Sequence, residues 1–192
     1  MPAHLRIAVV GLHFGAAFAP IYQAHPDVEK VLICDRDPAV LHAVGERFGI
    51  ADRCTDLDAV LRSECDAVHL LTPVPLHVEQ AVAVLEAGKH CACAVPMATD
   101  LDGLRHVLDA QRRSGKNYMM METGVYTREF LFALGMVERG EMGELSFGRG
   151  TYFQDLEGDY PAYWRAQPPM HYATHAVAPL LALAQSRAER VC

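Results

Sequence analysis

Residues 8–19 read AVVGLHFGAAFA. This stretch decides the fold, because a short apolar run stops at a glycine and a second, alanine-rich apolar run follows it. Leu5 to Val10 reads as a buried strand and Phe14 to Ala24 as a helix. A dinucleotide fingerprint wants glycine at its first and third positions and glycine or alanine at its sixth. Those positions hold Gly11, His13 and Ala16. Gly11 keeps the tight turn and Ala16 the close helix packing. His13 is the departure, and its side chain must point away from a phosphate or contact it. The expected phosphate loop is Gly11, His13, Phe14 and Gly15, with the helix N-terminus supplying amides for an anion. The plain alternative is a strand–turn–helix with no ligand.

The next strand, Val28 to Cys34, closes on Asp35, 24 residues after Gly11. An acid at that spacing binds ribose hydroxyls, and Arg36 beside it can hold a 2′-phosphate, so the cofactor expected is NAD or NADP. Farther along, helices are expected over Pro38–Phe48, Val74–Ala87 and Asp100–Arg113. Strands are expected over Asp66–Leu71, His90–Val95 and Tyr118–Met121. Their near-continuous apolar content suits strands buried on both faces, which makes an α/β, doubly wound parallel sheet over residues 1–121. The pattern changes from 122. A helix over 125–139 precedes GELSFGRGTYFQD, which alternates like an antiparallel strand. Then come the loop DYPAYWRAQPPM, the apolar stretch HYATHAVAPLLALA, and RAERVC, where another strand begins. Residues 122–192 read as the start of an incomplete α/β (α+β) second domain, and the chain as C-terminally truncated.

The 192 residues carry a net charge of −7, which argues against nucleic acid or an anionic membrane as partner. No apolar run is long enough to span a bilayer, and MPAHLRIAVVG lacks a signal-peptide layout, so a cytoplasmic protein is expected. Cys34, Cys54, Cys65, Cys91, Cys93 and Cys192 form no CxxC pair and read as reduced, core-lining thiols rather than metal ligands.

Five stretches carry a resemblance: VVGLHFGAAFAPIYQAHPDVE, CDRDP, LLTPVPLHVEQAVAVLEAGKH, VPMATDL, and WR followed later by YATHA. Together they resemble the glucose–fructose oxidoreductase, inositol dehydrogenase and rhizopine-catabolism (Gfo/Idh/MocA) family, over nearly the whole chain. The resemblance implies a Rossmann domain followed by an α/β substrate domain that commonly mediates homo-oligomerisation. It implies a sugar or polyol-like hydroxyl as substrate, oxidised by a nicotinamide cofactor. It implies that Thr72, Pro73 and His77 lie beside the nicotinamide half and that the arginine of Trp164-Arg165 approaches the cofactor. For His77 and Trp164 the competing reading is packing.

Two departures stand out against that pattern. The family's Glu-Lys-Pro reads Ala94-Val95-Pro96, and its aspartate four residues before the acid/base histidine is His171. His175 remains, suited to general acid/base work because imidazole titrates near neutral pH. His171 and His175 also make an HxxxH pair that a helix would place on one face, although no third metal ligand is evident. The chain is similar as well to the family's NAD-dependent glycosidase branch, which replaces the same lysine with valine. The stretches involved are Met119-Met120-Met121-Glu122, GRGTYFQDL with Tyr152, and Tyr172-Ala173-Thr174-His175. That similarity implies acid/base or orienting roles for Glu122, Tyr152 and His175, with NAD recycled within each turnover. A third reading is a non-catalytic nucleotide-binding protein, since His13, Val95 and His171 together fit a decayed site.

Overall fold

A computed structural model describes residues 4–155, 157, 162–165 and 167–191. The chain divides into two compact units, Met1–Met121 and Glu122–Cys192. The first unit is built on β1 (Leu5–Val10), β2 (Val28–Cys34), β3 (Arg53–Cys54), β4 (Ala67–Leu70), β5 (His90–Ala94) and β6 (Tyr118–Met121). All adjacent pairs are parallel, in the order β3-β2-β1-β4-β5-β6. The order reverses direction at β1, so the loops after β1 and β4 part at the carboxyl edge, where sheets of this kind bind ligands.

The apolar strands bury both faces because helices cover each. On one side α1 (Leu12–Gly15), α2 (Ala19–Ala24) and α3 (Pro38–Phe48) set Leu12, Ala19, Leu41 and Val44 against Val9, Val31 and Ile33. On the other side α4 (Leu57–Arg62), α5 (His77–Glu86) and α6 (Leu101–Ser114) set Val60, Val84, Leu85 and Val107 against Ala8, Val10, Val68 and Leu70. Asp37 and Asp100 cap α3 and α6 by accepting from the amides of Ala39 and Gly103, which satisfies donors the helix leaves open.

Several expectations are corrected. The helix over 14–24 is two helices, α1 and α2, separated by turns at 16–18, because Pro20 has no N–H to extend the first one and suits the first turn of a new one. The helix expected from Val74 begins as a 3-10 turn, Val74–Leu76, before α5. The two-residue strand β3 and the helix α4 fall in a stretch given no element from sequence.

In the second unit a 3-10 turn (Thr123–Tyr126) leads into α7 (Arg128–Glu138), then α8 (Ala162–Arg165), a 3-10 turn (Pro169–Tyr172) and α9 (Thr174–Ala184). The antiparallel strand expected over 143–155 is not formed, nor is a strand in the described residues of RAERVC. Alternation marks a pleated segment with one buried face, but a strand exists only when a neighbour completes its ladder. Here 148–150 lies against α9 instead. A Cβ on Gly150 would collide with the carbonyl oxygen of Ala176, and one on Gly148 would sit 3.1 Å from a Leu180 methyl. Phe147 and Phe153 stay 84% and 89% exposed.

The thiols of Cys34, Cys54, Cys65, Cys91 and Cys93 are free. Burial pushes those of Cys34 and Cys91 well up and that of Cys93 to about 12, so they are inert packing groups. Cys192, Asp159, Tyr160, Pro161 and Ala166 lie outside the described residues.

His69, in the middle of β4, is 1% exposed. It shares a 3.0 Å hydrogen bond with the Tyr22 hydroxyl and meets the Phe18 ring edge-on. Burial pushes its pKa from the ordinary 6.5 down to about 4. Between those values the unfolded chain takes up a proton that the folded chain refuses. The resulting stability is fully present above pH 6.5 and is lost as pH falls towards 4, by up to about 3 kcal/mol. Urea midpoints measured from pH 7 to pH 4 should therefore fall more steeply for the wild type than for His69→Phe. Equal slopes would refute this assignment.

Candidate functional site

The expected phosphate loop is shaped by one backbone contact. Gly11 has φ +89°, and a Cβ there would stand 2.7 Å from the carbonyl oxygen of Leu71 and 2.8 Å from its carbon. Only glycine lets the β1 loop sit this close to the β4 loop. Gly15 makes a tight approach of the helix to the sheet. Its Cβ position is 3.1 Å from Leu71 Cδ1 and 3.3 Å from Val9 Cγ1. Ala16 packs on the same cluster but is not fully buried. His13 and Phe14 are exposed, so the histidine adds no bulk between loop and sheet.

Asp35 closes the loop from β2. Its Oδ2 accepts from the Leu12 amide at 2.7 Å and its Oδ1 from the Asp37 amide at 2.9 Å. The carboxylate is thus fixed by two backbone donors, each oxygen keeping a further lone pair for a ligand hydroxyl. Arg36 is exposed beside it. Among the described residues no side chain caps the start of α1, which leaves its first amides after Leu12 for an anion. A turn that excludes a Cβ at Gly11, uncapped amides and a pinned acid together fit a dinucleotide.

Thr72 and Pro73 follow β4 at the same edge. The Thr72 hydroxyl donates to Gln80 Oε1 at 2.5 Å, a partner the sequence reading did not include. The surroundings of His77 agree with the packing reading weighed for it. It is 1% exposed, and its Nδ1 and Nε2 lie 2.8 Å from the carbonyl oxygens of Pro96 and Thr72. Both ring nitrogens face backbone carbonyl oxygens, of which a neutral ring donates to one, so the ring is turned to the loops after β4 and β5.

The second unit gathers its own cluster. Glu122, the N-cap of the Thr123–Tyr126 turn, is 5% exposed. Its Oε1 accepts from the Gly124 amide at 2.7 Å and lies 2.5 Å from His175 Nδ1. His175 Nε2 lies 3.1 Å from the Tyr172 hydroxyl. The Tyr152 ring tilts against His175 at 4.7 Å, and Trp164 meets Tyr172 edge-on at 4.7 Å. Glu122 Oε2 and Thr174 Oγ1 are buried with no hydrogen-bond partner among the described residues. Glu122, Tyr152 and His175 are therefore brought together, and Trp164 joins them through Tyr172. Tyr172, to which the sequence assigns no role, is the third member of this series. Its spacing of three from His175 was the available signal.

His171 is not part of this chain of contacts. It sits in the Pro169–Tyr172 turn, while His175 is in α9, so the two do not share the helical face that an HxxxH pair needs. No group of three metal-ligating side chains occurs among the described residues. Arg165 is exposed in α8. Among the described residues no helix is long and apolar enough to cross a membrane. A surface hollow of about 330 Å³ lies at the amino end of β2, among Gln23, Val28 and Asp52, away from the residues named above.

These features define a Rossmann unit of the NAD-binding class. The family described as "Oxidoreductase family, NAD-binding Rossmann fold" matches residues 5–122, and the chain belongs to this Gfo/Idh/MocA family. A glycosyl hydrolase family 109 protein of Shewanella baltica is 33% identical over 174 residues, covering 80% of this chain. The chain spans 38% of that curated relative's length. Among solved structures, a levoglucosan dehydrogenase in complex with NADH and levoglucosan superimposes with a TM-score of 0.80. It is 26% identical, covering 94% of this chain and 54% of that one. The WlbA dehydrogenase of Bordetella pertussis, in complex with NADH and UDP-GlcNAcA, gives 0.65 at 26% identity, covering 74% and 42%.

Proposed function

We propose that this chain supplies the cofactor unit and the proton-handling residues of an NAD-dependent oxidoreductase acting on a hydroxyl of a sugar or polyol. The observation that carries the reading is the hydrogen-bonded series Glu122–His175–Tyr172 in a chain whose other unit belongs to an NAD-binding family. The Gly11–Gly15 loop and α1 amides would hold the pyrophosphate, and Asp35 the adenine-side ribose. Thr72 and Pro73 would border the nicotinamide half, and the family resemblance assigns Arg165 a cofactor role. When bound, the nicotinamide supplies the hydride acceptor. Glu122 fixes the His175 ring and compensates a proton gained there, so that a substrate hydroxyl can be deprotonated as its carbon is oxidised. Tyr152 and Trp164 offer aromatic faces of the kind that pack against sugar rings.

NAD is preferred over NADP on this reading. A 2′-phosphate would meet the Asp35 carboxylate, which two backbone amides hold in place. Arg36, exposed next to it, does not remove that repulsion. The full-length form is taken to be a cytoplasmic homo-oligomer with a small carbohydrate-like substrate.

A second reading is favoured by one observation, the family 109 glycosidase relative at 33% identity. Val95 in place of the family's lysine agrees with it. The two chemistries separate in one assay. Accumulation of NADH from NAD⁺ and myo-inositol supports the dehydrogenase. Cleavage of an aryl α-N-acetylgalactosaminide without net NADH supports the glycosidase. Binding of NAD⁺ with neither activity supports a nucleotide-binding protein.

A further inference from the structure

Thr72 follows β4 at the point where the sheet order reverses, the place at which a dinucleotide lies on a sheet of this kind. It borders the turn after β1, since a Cβ on Gly11 would stand 3.1 Å from the Thr72 amide nitrogen. Two residues of α5 hold Thr72. His77 Nε2 lies 2.8 Å from its carbonyl oxygen, and Gln80 Oε1 lies 2.5 Å from its Oγ1. His77 and Gln80 are three positions apart on the helix and so share a face. Main chain and side chain of Thr72 are thus both fixed from α5. An amide oxygen only accepts, so the Thr72 hydroxyl directs its one proton at Gln80. Its oxygen keeps lone pairs alone for any further partner. Thr72 and Gln80 are both partly exposed. A hydroxyl without such a neighbour is a rotor that offers either its proton or a lone pair. Beside Gln80 it offers only the lone pair.

We propose that Gln80 is a positioning residue that fixes the Thr72 hydroxyl as a hydrogen-bond acceptor and thereby fits the loop after β4 to a donor group on the nicotinamide half of the cofactor. The proposal rests on the reading above that this loop borders that half. Two groups there have a donor to offer, the carboxamide N–H and a ribose O–H. Gln80 acts through Thr72 in this scheme. Its contribution is one of polarity, because a cofactor group that could only accept would meet lone pair with lone pair at Thr72 Oγ1.

The test is calorimetric titration of NAD⁺ into the wild-type chain, into Gln80→Met, Gln80→Glu and Thr72→Val, and into the variant carrying both Gln80→Met and Thr72→Val. Methionine matches glutamine in length but has no acceptor oxygen. Gln80→Met should bind NAD⁺ about three- to tenfold more weakly, the usual worth of one neutral hydrogen bond. Gln80→Glu restores an acceptor and should bind more tightly than Gln80→Met, although its charge has the sign of the cofactor's phosphates. Thr72→Val should lose about as much as Gln80→Met, and the double variant no more than either, because both changes remove one and the same contact. The acetylpyridine analogue of NAD⁺, with a methyl in place of the carboxamide amino group, tells the two donors apart. If the carboxamide is the partner, Gln80→Met leaves affinity for the analogue unchanged. If a ribose hydroxyl is the partner, the analogue loses as much as NAD⁺ does. Wild-type affinity in Gln80→Met, additive losses in the double variant, or a Gln80→Glu chain that binds no better than Gln80→Met overturns the proposal. Should Gln80→Met fail to fold, undiminished NAD⁺ affinity in Thr72→Val overturns it as well. A wild-type chain that binds no dinucleotide refutes the cofactor reading itself, and the proposal with it, before any variant is compared.

Discussion

Replacing Gly11 with alanine is expected to abolish NAD⁺ binding and to cost the chain about 1–3 kcal/mol of stability. Two effects add. The residue has φ +89°, a conformation that L side chains rarely adopt. The new Cβ also meets main chain: Leu71 O at 2.7 Å, Leu71 C at 2.8 Å and Thr72 N at 3.1 Å. No rotamer change relieves a clash with backbone, and Leu71 is itself tied to β1 by its amide to Val10 O at 2.8 Å. The loops after β1 and β4 must therefore move apart, and the cradle between them opens. Guanidinium unfolding and NAD⁺ calorimetry on the same variant read both effects. His13→Gly is the contrast. The side chain is exposed, so restoring the missing glycine should leave stability and NAD⁺ affinity nearly unchanged. A Gly11→Ala variant that binds NAD⁺ normally would mean that this contact does not shape the site.

The second large effect is expected at His175. His175→Ala should lower hydride transfer from a polyol to NAD⁺ by about 10²–10⁴-fold, the usual contribution of a positioned acid/base group. Stability should fall too, by about 1–3 kcal/mol, because Glu122 loses a donor inside the protein. Among the described residues its Oε2 already has no partner, and the Gly124 amide alone would still serve Oε1. Glu122→Gln separates charge from orientation, since the amide oxygen can still accept from Nδ1. It should keep most of the stability and lose most of the rate. Absorbance at 340 nm and thermal unfolding measure the two. Unchanged hydride transfer in His175→Ala would remove His175, and with it the whole series, from the chemistry.

The parallel sheet could be read from sequence because its strands leave continuous apolar runs, and Leu5–Val10 and Val28–Cys34 form as read. The turn after β1 and the acid after β2 followed from chemistry that a few residues fix, a positive φ at Gly11 and a short carboxylate at Asp35. What escaped has other causes. Arg53–Cys54 pairs with β2 over two residues, too short for periodicity to register. The alternating segment 143–155 has the pattern of a strand but packs along α9, because pairing depends on a neighbour that local sequence does not contain. The contact between Glu122 and His175 spans 53 residues. The resemblance put both at a site, whereas the Tyr172 hydroxyl at His175 Nε2 needed coordinates. His77 shows the opposite limit. The motif marks it, yet the fold uses it to join Thr72 and Pro96.

On the function proposed above, the loop from Gly11 to Gly15 and the acid at Asp35 form a working dinucleotide site selective for NAD. The direct measurement is calorimetric titration of NAD⁺, then NADP⁺, into the folded chain, repeated with Asp35→Ala. The expected result is saturable NAD⁺ binding with NADP⁺ at least about tenfold weaker, a gap of roughly 1.4 kcal/mol. In the variant NAD⁺ should weaken and the gap should narrow. No saturable heat with either nucleotide, or an Asp35→Ala chain that binds and discriminates like the wild type, would contradict it.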